Sequence, residues 1–308
     1  MHIKYITDRT GFVLQSFTQV ARKDWDLSSG ALSIIYDGLY IPIITYACGT
    51  WGWAINKTHI KRKLISSQRK ALLLITKAFR TASNSSIQVL AKKPPIDLSI
   101  LQRRKLLRLK WGEPVQTRTR LITTNDVEWY VPFCDTPSPD NFIIGLSTFI
   151  QKTQLHIFTD GSKINDSIGC SFVVYNSNNH ELYNQIFRLD NYCTVFQAEL
   201  IAIKMCIHWV HANYINTTTH IYTDSLSANS LINSTKLHPI AEDIRNLIRH
   251  SNSNFIITWV RAHQGLIGNE RADQLAKLAA TDNSIPIIYN KLSQGSVKRI
   301  LWEDTLNT

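Results

Sequence analysis

The chain has 308 residues, of which 44% are hydrophobic, and this is enough apolar material for one or two ordinary cores. Length and composition therefore exclude a disordered chain and predict a folded protein. The formal net charge at pH 7 is +11, from 34 Lys and Arg against 23 Asp and Glu.

The excess positive charge lies in the first half of the chain. Residues 1–150 contain 21 Lys and Arg against 10 Asp and Glu, whereas residues 151–308 contain 13 of each. Residues 61–120 alone carry 16 basic side chains, with Asp97 and Glu113 as the acids. This density favours a polyanion such as nucleic acid as the partner; the alternative is a solvated helix face that is rich in Lys and Arg.

Cysteine usage and the N-terminus bear on the compartment. The five cysteines form no C-x-x-C pair, so they indicate neither a disulfide framework nor a zinc knuckle and fit a reducing compartment. The N-terminus lacks the apolar core of a signal peptide, so we expect an intracellular protein, nuclear or cytoplasmic, and not a secreted one. Residues 38–55 lack charge and just reach membrane-spanning length, but their proline, tyrosines and tryptophans favour a buried helix, and no membrane partner is expected.

The first predicted elements, up to about residue 111, are helical. Residues 58–79 set apolar side chains on one stripe with basic side chains beside it, which predicts an amphipathic basic helix. Residues 97–112 repeat this pattern and end at Gly112. From residue 113 to about residue 153 the periodicity fades and prolines accumulate, so we interpret residues 113–153 as a linker.

Beyond the linker, strands alternate with helices, and the pattern predicts an α/β fold. Three sequential strands joined by short turns predict an antiparallel meander, and a β-α-β crossover returns a fourth strand parallel to an earlier one. The result is a mixed five-stranded sheet flanked by helices. The strands are predicted near 155–160, 169–176, 182–188, 219–223 and 254–260, and the helices near 195–211, from 225, near 239–250 and near 269–281.

Two of these strands end on an aspartate, in the stretches IFTDGSK (157–163) and IYTDSLS (221–227). If the strands are parallel and adjacent, Asp160 and Asp224 emerge at the same carboxyl edge of the sheet, where ligands of such sheets bind. Two ionised carboxylates about 4 Å apart repel by roughly 4 kcal/mol at an effective dielectric near 20. A cation or a shared proton therefore belongs between them.

Two more acids and a histidine occur at chemically informative places. Glu199 lies one turn into a strongly apolar helix, where an acid is costly unless it faces a partner. Asp273 lies one turn into the last predicted helix, and His263 precedes that helix in a glycine-bounded loop. Taken singly, the acids also have structural explanations, as a turn residue (Asp160), a helix start (Asp224), a solvated helix acid (Glu199) and a partner of the helix dipole (Asp273).

Together the four acids predict a metal site. Oxygen ligands without a nearby histidine or cysteine donor favour a hard cation, above all Mg²⁺, for which Mn²⁺ is a plausible substitute. Three or four carboxylates can hold two such ions roughly 4 Å apart, an arrangement that activates a water on one side of a phosphodiester and stabilises the leaving oxygen on the other. The residues therefore predict metal-dependent phosphodiester hydrolysis.

Four stretches, FTDGSK, QAELIAI, YTDSLSA and WVRAHQGLIGNERADQLAK, resemble the successive motifs of type 1 ribonuclease H domains. The resemblance is strongest to the domains of non-LTR retrotransposon polyproteins of the insect R1 and jockey kind, and it covers about residues 154–282. It implies a ribonuclease H-like fold and hydrolysis of the RNA strand of RNA·DNA hybrids with two Mg²⁺ ions.

The resemblance also implies a role for each residue. Asp160 would bind both metal ions, Glu199 and Asp224 would complete the shell of one ion, and Asp273 would bind the other. His263 would assist proton transfer or product release from a mobile loop; the alternative is a histidine that caps a turn. The implied contacts to nucleic acid are Gly161, Ser162, Ser225 and Asn269.

Residues 1–112 resemble, less specifically, the thumb and connection segment that follows the reverse transcriptase palm in the same polyproteins. The resemblance rests on YIPIITYACGTWGWA, SSQRKALLLITKAFRTAS and IQVLAKKPPIDL, and it implies an upstream polymerase region as a partner. No Tyr-x-Asp-Asp or Phe-x-Asp-Asp sequence occurs, so polymerase activity is not expected from this chain alone. The predicted domains are a helical basic region (1–112), a linker (113–153), a ribonuclease H-like domain (154–282) and a C-terminal tail (283–308).

Two departures from the family's pattern affect substrate binding. Many members carry Asn and Gln just before the helix glutamate, where this sequence has Val195 and Phe196, and this weakens the expected reading of ribose 2′-hydroxyls. The stretch between Asp224 and His263 is also too short for the extra basic helix that longer members use to hold the hybrid. We hypothesise that the basic first half supplies the missing phosphate contacts, through Lys61, Arg62, Lys63, Arg69, Lys70, Arg103, Arg104 and Lys105.

Two other functions stay open. One is a catalytically idle, nucleic-acid-binding fragment of a truncated element, against which the presence of all four acids argues. The other is a metal-dependent nuclease that acts on other nucleic acids, and substrate preference would separate it from a ribonuclease H.

Overall fold

The protein is described from a computed structural model. The structure describes residues 2–23, 28–130, 154–262 and 264–307, without the side chains of residues 16–23 and 154. His263 and most of the predicted linker therefore lie outside the described residues. The chain divides into two compact units, Met1–Thr124 with Lys298–Thr308 and Asn125–Val297.

The first unit is mainly helical. Its helices are α1 (His2–Lys23), α2 (Ser29–Ile35), α3 (Ile41–Ile44), α4 (Cys48–Trp51), α5 (Thr58–Thr76), α6 (Asn84–Ala91) and α7 (Ile96–Lys110), with a π-helical turn (Tyr36–Tyr40) and a 3₁₀ turn (Gly52–Asn56). Two short antiparallel strands follow, β1 (Val115–Gln116) and β2 (Leu121–Ile122), and then a 3₁₀ turn (Thr124–Asp126). These strands lie in the segment interpreted as a linker, and two-residue strands are too short to leave a periodic pattern.

The uncharged stretch at residues 38–55 contributes to the core of the first unit. Tyr40, Ile44 and Cys48 are buried there against α5 side chains such as Leu64 and Leu72. Among the described residues no single helix is long and apolar enough to cross a membrane, and the stretches Ser29–Ile44 and Cys48–Asn56 pass that test only as a pair bent by 59°.

The second unit is built on a mixed sheet. Its strands are β3 (Val127–Glu128), β4 (Gln154–Ile164), β5 (Ser167–Tyr175), β6 (Glu181–Leu189), β7 (Thr218–Thr223), β8 (Asn254–Trp259), β9 (Ile287–Tyr289) and β10 (Leu292–Ser293). Its helices are α8 (Val195–Asn213), α9 (Leu226–Ile232), α10 (Pro239–Arg249) and α11 (Ile267–Thr281), and α12 (Gln294–Leu306) begins in this unit. In the described part of the chain, six strands form the large sheet, in the order β8-β7-β4-β5-β6-β9.

The predicted α/β fold with a mixed sheet and flanking helices is confirmed. Strands β4, β5 and β6 form the antiparallel meander, and β7 returns parallel to β4 after helix α8. The structure adds β9 to the five predicted strands, paired in parallel with β6. Residues 283–308, predicted as a tail, contain β9, β10 and α12. The two strands are too short to give a periodic signal, whereas α12 is a helix of 13 residues that the sequence analysis did not predict.

Alternation along β5 builds a core on both faces of the large sheet. Phe172 and Val174 face the cluster that contains α8 and α10, whereas Val173 and Tyr175 pack against α11. Close packing of α11 depends on Gly169, since a Cβ at this position would lie 2.4 Å from the backbone nitrogen of Ala280. The sheet is therefore held rigidly between helices, and its carboxyl edge is left to carry the polar residues.

We predict that Gly169→Ala lowers the free energy of unfolding of the second unit by about 1–3 kcal/mol, because the added methyl group overpacks the contact with α11. Gly295→Ala is the matched control. The atom nearest to a Cβ there would be Ser293 Oγ at 3.7 Å, and alanine favours a helix, so no loss is expected. Denaturant unfolding of both variants measures the difference, and equal stabilities would contradict the close approach.

Candidate active site

The register of two parallel strands places Asp160 beside Asp224. Thr159 of β4 lies opposite Thr223, the last residue of β7, so Asp160 within β4 and Asp224 just beyond β7 are neighbours where the parallel pairing ends. Asp160 is 6% exposed, and Asp224 is half-buried. The indole Nε1 of Trp259, at the end of β8, donates to the backbone carbonyl oxygen of Asp224 at 3.0 Å. The pairing of Asp160 with Ser171 of β5 and the contact of Trp259 with Asp224 thus fix the backbone from which both carboxylates project.

A capping box fixes the start of helix α8 one turn before Glu199. Thr194 Oγ1 accepts from the backbone nitrogen of Gln197 at 3.2 Å, and Gln197 Oε1 accepts from the backbone nitrogen of Thr194 at 2.9 Å. Gly161 lets the helix approach the sheet, since a Cβ there would lie 2.8 Å from the backbone nitrogen of Glu199. Glu199 is therefore held directly over Gly161 of β4, next to Asp160.

Asp160, Glu199 and Asp224 form one carboxylate cluster. Each contributes an oxygen atom to a group in which all three atoms lie within 4.8 Å of one another. Burial, followed by the charges of Asp224 and Asp273, raises the pKa of Asp160 to about 7. Burial, followed by Asp160 and Asp224, also raises the pKa of Glu199 well above its ordinary value. Without a cation, the carboxylate cluster therefore retains protons at neutral pH.

The donor set of the carboxylate cluster fits a hard divalent cation. The Oε2 atom of Glu199 is buried and has no hydrogen-bond partner among the described residues. This oxygen atom is therefore free of hydrogen bonds from that part of the chain and could bind a metal ion. A metal ion would supply the missing interaction and offset the repulsion between the carboxylates. Asp160, Glu199 and Asp224 are therefore the residues that could hold a metal ion.

Asp273 lies outside the group of three atoms but is electrostatically coupled to it. It lies on α11, and its Oδ2 accepts from Lys277 Nζ at 2.7 Å. Asp273 raises the pKa of Asp160 and Lys277 lowers it, so both charges act on the carboxylate cluster. The structure thus brings three of the four predicted acids together and pairs the fourth with a lysine.

Trp259 and Lys277 are contacts that the sequence reasoning missed. Each had a signal: Lys277 follows Asp273 at the i, i+4 spacing of a helical ion pair, and Trp259 ends the strand next to the one that carries Asp224.

The polar residues predicted to touch nucleic acid in the second unit have different local roles. Ser225 Oγ accepts from the backbone nitrogen of Ala228 at 3.3 Å and caps α9. Asn269 is 4% exposed, and its Oδ1 has no hydrogen-bond partner among the described residues. Ser162 and Gly161 are half-buried on β4. His263 lies outside the described residues, so its role stays a prediction.

Some of the basic residues predicted to bind phosphate have partners inside the first unit. Arg69 donates to the backbone carbonyl oxygens of Arg80 and Ala82 at 2.7 and 2.8 Å. Lys105 Nζ pairs with Asp304 Oδ2 at 2.7 Å.

Lys61 Nζ is exposed but pairs with Asp97 Oδ2 at 2.7 Å, and Arg104 is half-buried with its Cδ 3.0 Å from the Cβ position of Gly52. The remaining four are exposed on α5 and α7: Arg62, Lys63, Lys70 and Arg103.

The two residues before the capping-box glutamine differ in accessibility. Val195, the first residue of α8, is 37% exposed. Phe196 packs on the core of the second unit, with its ring 5.9 Å from that of His238. Only Val195 of this pair presents an exposed side chain at the start of α8.

Comparison with known proteins finds matches to this part of the chain. Residues 152–281 match the family model described as RNase H. The "Putative 115 kDa protein in type-1 retrotransposable element R1DM" of Drosophila melanogaster is 33% identical over 115 residues, which cover 37% of this chain and 11% of that protein. A retrovirus-related Pol polyprotein from the element R1 3 of Nasonia vitripennis is 26% identical over 133 residues, covering 41% and 34% of the two chains.

The chain therefore spans about a third or less of the length of these relatives. Among solved structures, the N-terminal RNase H domain of a Mycobacterium tuberculosis protein has a TM-score of 0.36 at 16% identity, over 42% of this chain and 94% of that one. LC11-RNase H1 in complex with an RNA/DNA hybrid has the same TM-score and identity, over 41% and 96%.

We predict that the metal-free protein loses stability as the pH rises from about 4 to about 7. The pKa of Asp160 in the folded state, about 7, lies above its ordinary value of 3.8, so the folded state binds the proton more tightly over this range. Asp160→Asn should therefore be more stable than the native chain at pH 8 in chelator, by on the order of 1–3 kcal/mol, with a smaller difference at pH 4.

Denaturant unfolding at the two pH values measures this effect. Asp166→Asn is the matched control, because the Asp166 side chain is 92% exposed. A stability gain in Asp160→Asn that does not depend on pH would contradict the assignment.

Proposed function

We propose that the chain, whose residues 152–281 are a ribonuclease H domain, hydrolyses the RNA strand of RNA·DNA hybrids. The observation that carries the proposal is the cluster of Asp160, Glu199 and Asp224, whose oxygen atoms lie within 4.8 Å of one another at the carboxyl edge of the sheet. A structural role does not account for three mutually repelling, largely buried carboxylates.

We propose that two divalent ions, Mg²⁺ or its substitute Mn²⁺, complete this site. When bound, such ions activate a water beside a phosphodiester and stabilise the leaving oxygen. Asp160, Glu199 and Asp224 would hold one ion, and Asp160 with Asp273 would hold the second. For the second ion, Lys277 would have to release Asp273, whose Oδ2 it contacts at 2.7 Å. The protein's contribution is to hold the carboxylates before substrate arrives, so that little reorganisation accompanies the reaction.

The residues around the carboxylate cluster have supporting roles in this proposal. The backbone N–H of Gly161 donates to the carboxylate of Glu199 and orients it. Trp259 holds the backbone of Asp224 through its indole N–H. His263 would move a proton or assist product release from the segment before α11. Gly161, Ser162, Ser225 and Asn269 are the proposed contacts to the hybrid near the site.

The relatives support a wider context for this activity. They are proteins of R1-type retrotransposable elements, so we propose that the chain is part of a polyprotein with a polymerase region upstream and acts inside the cell, in the nucleus or the cytoplasm. The RNA/DNA hybrid bound to LC11-RNase H1 is a nucleic acid of the class that we propose as the substrate of this chain.

A nuclease for other nucleic acids is the second candidate function, and Val195 favours it. An apolar side chain is 37% exposed at the start of α8, where it can offer no hydrogen bond to a ribose 2′-hydroxyl. Cleavage of duplex RNA or duplex DNA beside the hybrid would support this candidate over a strict ribonuclease H.

We predict that Asp224→Asn lowers the rate of hybrid cleavage by more than about 100-fold, since removal of groups that only support metal ligands already costs 10–100-fold. The assay uses a labelled RNA·DNA hybrid beside duplex DNA and duplex RNA, with Mg²⁺ or with chelator. Asp166→Asn is the matched exposed control and should cleave at the native rate. Salt-sensitive binding without cleavage of any substrate would contradict the proposed enzyme and favour the catalytically idle, nucleic-acid-binding fragment.

We predict that Lys63→Gln and Lys70→Gln each reduce the salt dependence of hybrid binding by about one unit of log K against log[salt], because each exposed ammonium would contact one phosphate. Arg69→Gln should instead destabilise the first unit, since Arg69 binds two backbone carbonyl oxygens. Lys236→Gln removes an exposed charge from the second unit and is the control. An unchanged slope in both α5 variants would refute the phosphate contacts.

A further inference from the structure

Glu128 is a buried acid that the proposed chemistry does not use. It lies on β3, which precedes residues 152–281 of the ribonuclease H match, and it is 4% exposed. The strand is held in parallel register by β10, with Glu128 opposite Ser293. A buried carboxyl group costs free energy unless hydrogen bonds compensate for the lost water, so its contacts define its role.

The contacts of Glu128 lead to the first turn of α8. Its Oε2 accepts a hydrogen bond from Gln197 Nε2 at 2.5 Å, and the hydroxyl of Tyr289 on β9 is a second partner of the carboxyl group. Its Oε1 faces His238 Nδ1, the residue before α10, at 3.5 Å. Burial raises the pKa of Glu128 to about 7 and lowers that of His238 to about 4, so His238 is neutral at neutral pH. Neither Glu128 Oε1 nor His238 Nδ1 has a hydrogen-bond partner among the described residues.

Within the described part of the chain, the amide group of Gln197 has the following partners. Its Oε1 is used by the capping box, where it accepts from the backbone nitrogen and the hydroxyl of Thr194 at 2.9 and 3.1 Å. Its Nε2 therefore faces Glu128 and the backbone carbonyl oxygen of Lys291, at 3.1 Å from the latter. Since Gln197 is 1% exposed, water cannot replace these partners. The group at position 128 must therefore present an acceptor.

We propose that Glu128 is a positioning residue that holds the first turn of α8, and with it Glu199, in place against Asp160 and Asp224. Gln197 precedes Glu199 by two residues, and the backbone nitrogen of Glu199 already lies 2.8 Å from where a Cβ of Gly161 would be, so the helix start has little freedom to adjust. A displacement of about 1 Å at such a site can cost about 100-fold in rate. The inference rests on the proposed function where its test measures the rate of hybrid cleavage.

The hydrogen-bond directions predict which substitutions are tolerated. Glu128→Gln keeps an acceptor for Gln197 and offers its own amide N–H to the neutral His238, so we expect the hydrogen bond between positions 128 and 197 to be retained. Glu128→Leu removes the acceptor. Gln197→Glu keeps the capping box but replaces the donor Nε2 by an oxygen atom, which faces the acceptor oxygens of Glu128 and of the Lys291 carbonyl. The double variant Glu128→Gln with Gln197→Glu restores the hydrogen bond between positions 128 and 197 with donor and acceptor exchanged, but leaves the Lys291 carbonyl oxygen without the donor that Gln197 supplies.

The experiment uses the full chain and measures kcat and KM for a labelled hybrid, the Mg²⁺ concentration for half-maximal rate, and the melting temperature. Glu128→Leu and Gln197→Glu should lower kcat by about 10–100-fold and raise the Mg²⁺ requirement, with KM changed by less than about threefold. Glu128→Gln should stay within about threefold of the native kcat, and the double variant should recover part of the loss seen in Gln197→Glu, because one of the two hydrogen bonds of Gln197 Nε2 is restored.

A control separates positioning from stability. Phe255→Leu removes packing at the opposite end of β8 from Trp259, so it should lower the melting temperature without changing kcat or the Mg²⁺ requirement at temperatures well below melting. If Glu128→Leu behaves like Phe255→Leu, or if the double variant is no better than Gln197→Glu, the positioning role is overturned.

Calorimetric titration of Mg²⁺ into the native chain and into Glu128→Leu distinguishes failure of this inference from failure of the proposed function. If the native chain cleaves no substrate, the proposed ribonuclease activity is refuted. Weaker Mg²⁺ binding by Glu128→Leu than by the native chain would still support the positioning of Glu199 by Glu128. Equal Mg²⁺ affinities of the two chains would refute it.

Discussion

Repulsion between carboxylates at one edge of a sheet is the interaction around which the second unit is organised. Parallel pairing of β4 with β7 ends at Thr159 and Thr223, which makes Asp160 and Asp224 neighbours, and α8 adds Glu199 to them. Each of these groups would be more stable in water or alone. The surrounding fold therefore has to supply the free energy that keeps them assembled.

The rest of the unit is built to supply that free energy. Alternating side chains of β5 bury apolar surface on both faces of the sheet, against α8 and α10 on one side and α11 on the other. Gly161 and Gly169 let α8 and α11 approach the sheet more closely than any side chain would allow. Because this packing is rigid, the carboxylates cannot move apart, and their repulsion can be relieved by binding a cation or a proton. The fold thereby prepares a metal site.

Elements beyond the ribonuclease H match belong to the same unit. Strands β3, β9 and β10 are short, yet they bring Glu128 and Tyr289 to the start of α8. In the first unit, several basic residues serve the fold itself, as Arg69 does through two carbonyl oxygens. The number of basic residues in a sequence therefore overstates the charge that is available to a polyanion. Of the eight basic residues predicted to bind phosphate, four are exposed and have no role in the fold that the structure describes: Arg62, Lys63, Lys70 and Arg103.

Hydrophobic period and strand-end aspartates are local signals, so the long elements, the mixed sheet and the acids of the site could be predicted from the order of residues alone. The same signals say nothing of the sixth strand of the described sheet, the short strands β3 and β10, or the contacts of Trp259 and Glu128. Segments of two or three residues carry no period, and a contact such as that between Glu128 and Gln197 joins positions 69 residues apart. These features appear only in the folded chain, because they arise where distant backbones meet and compete for the same hydrogen-bond donors and acceptors.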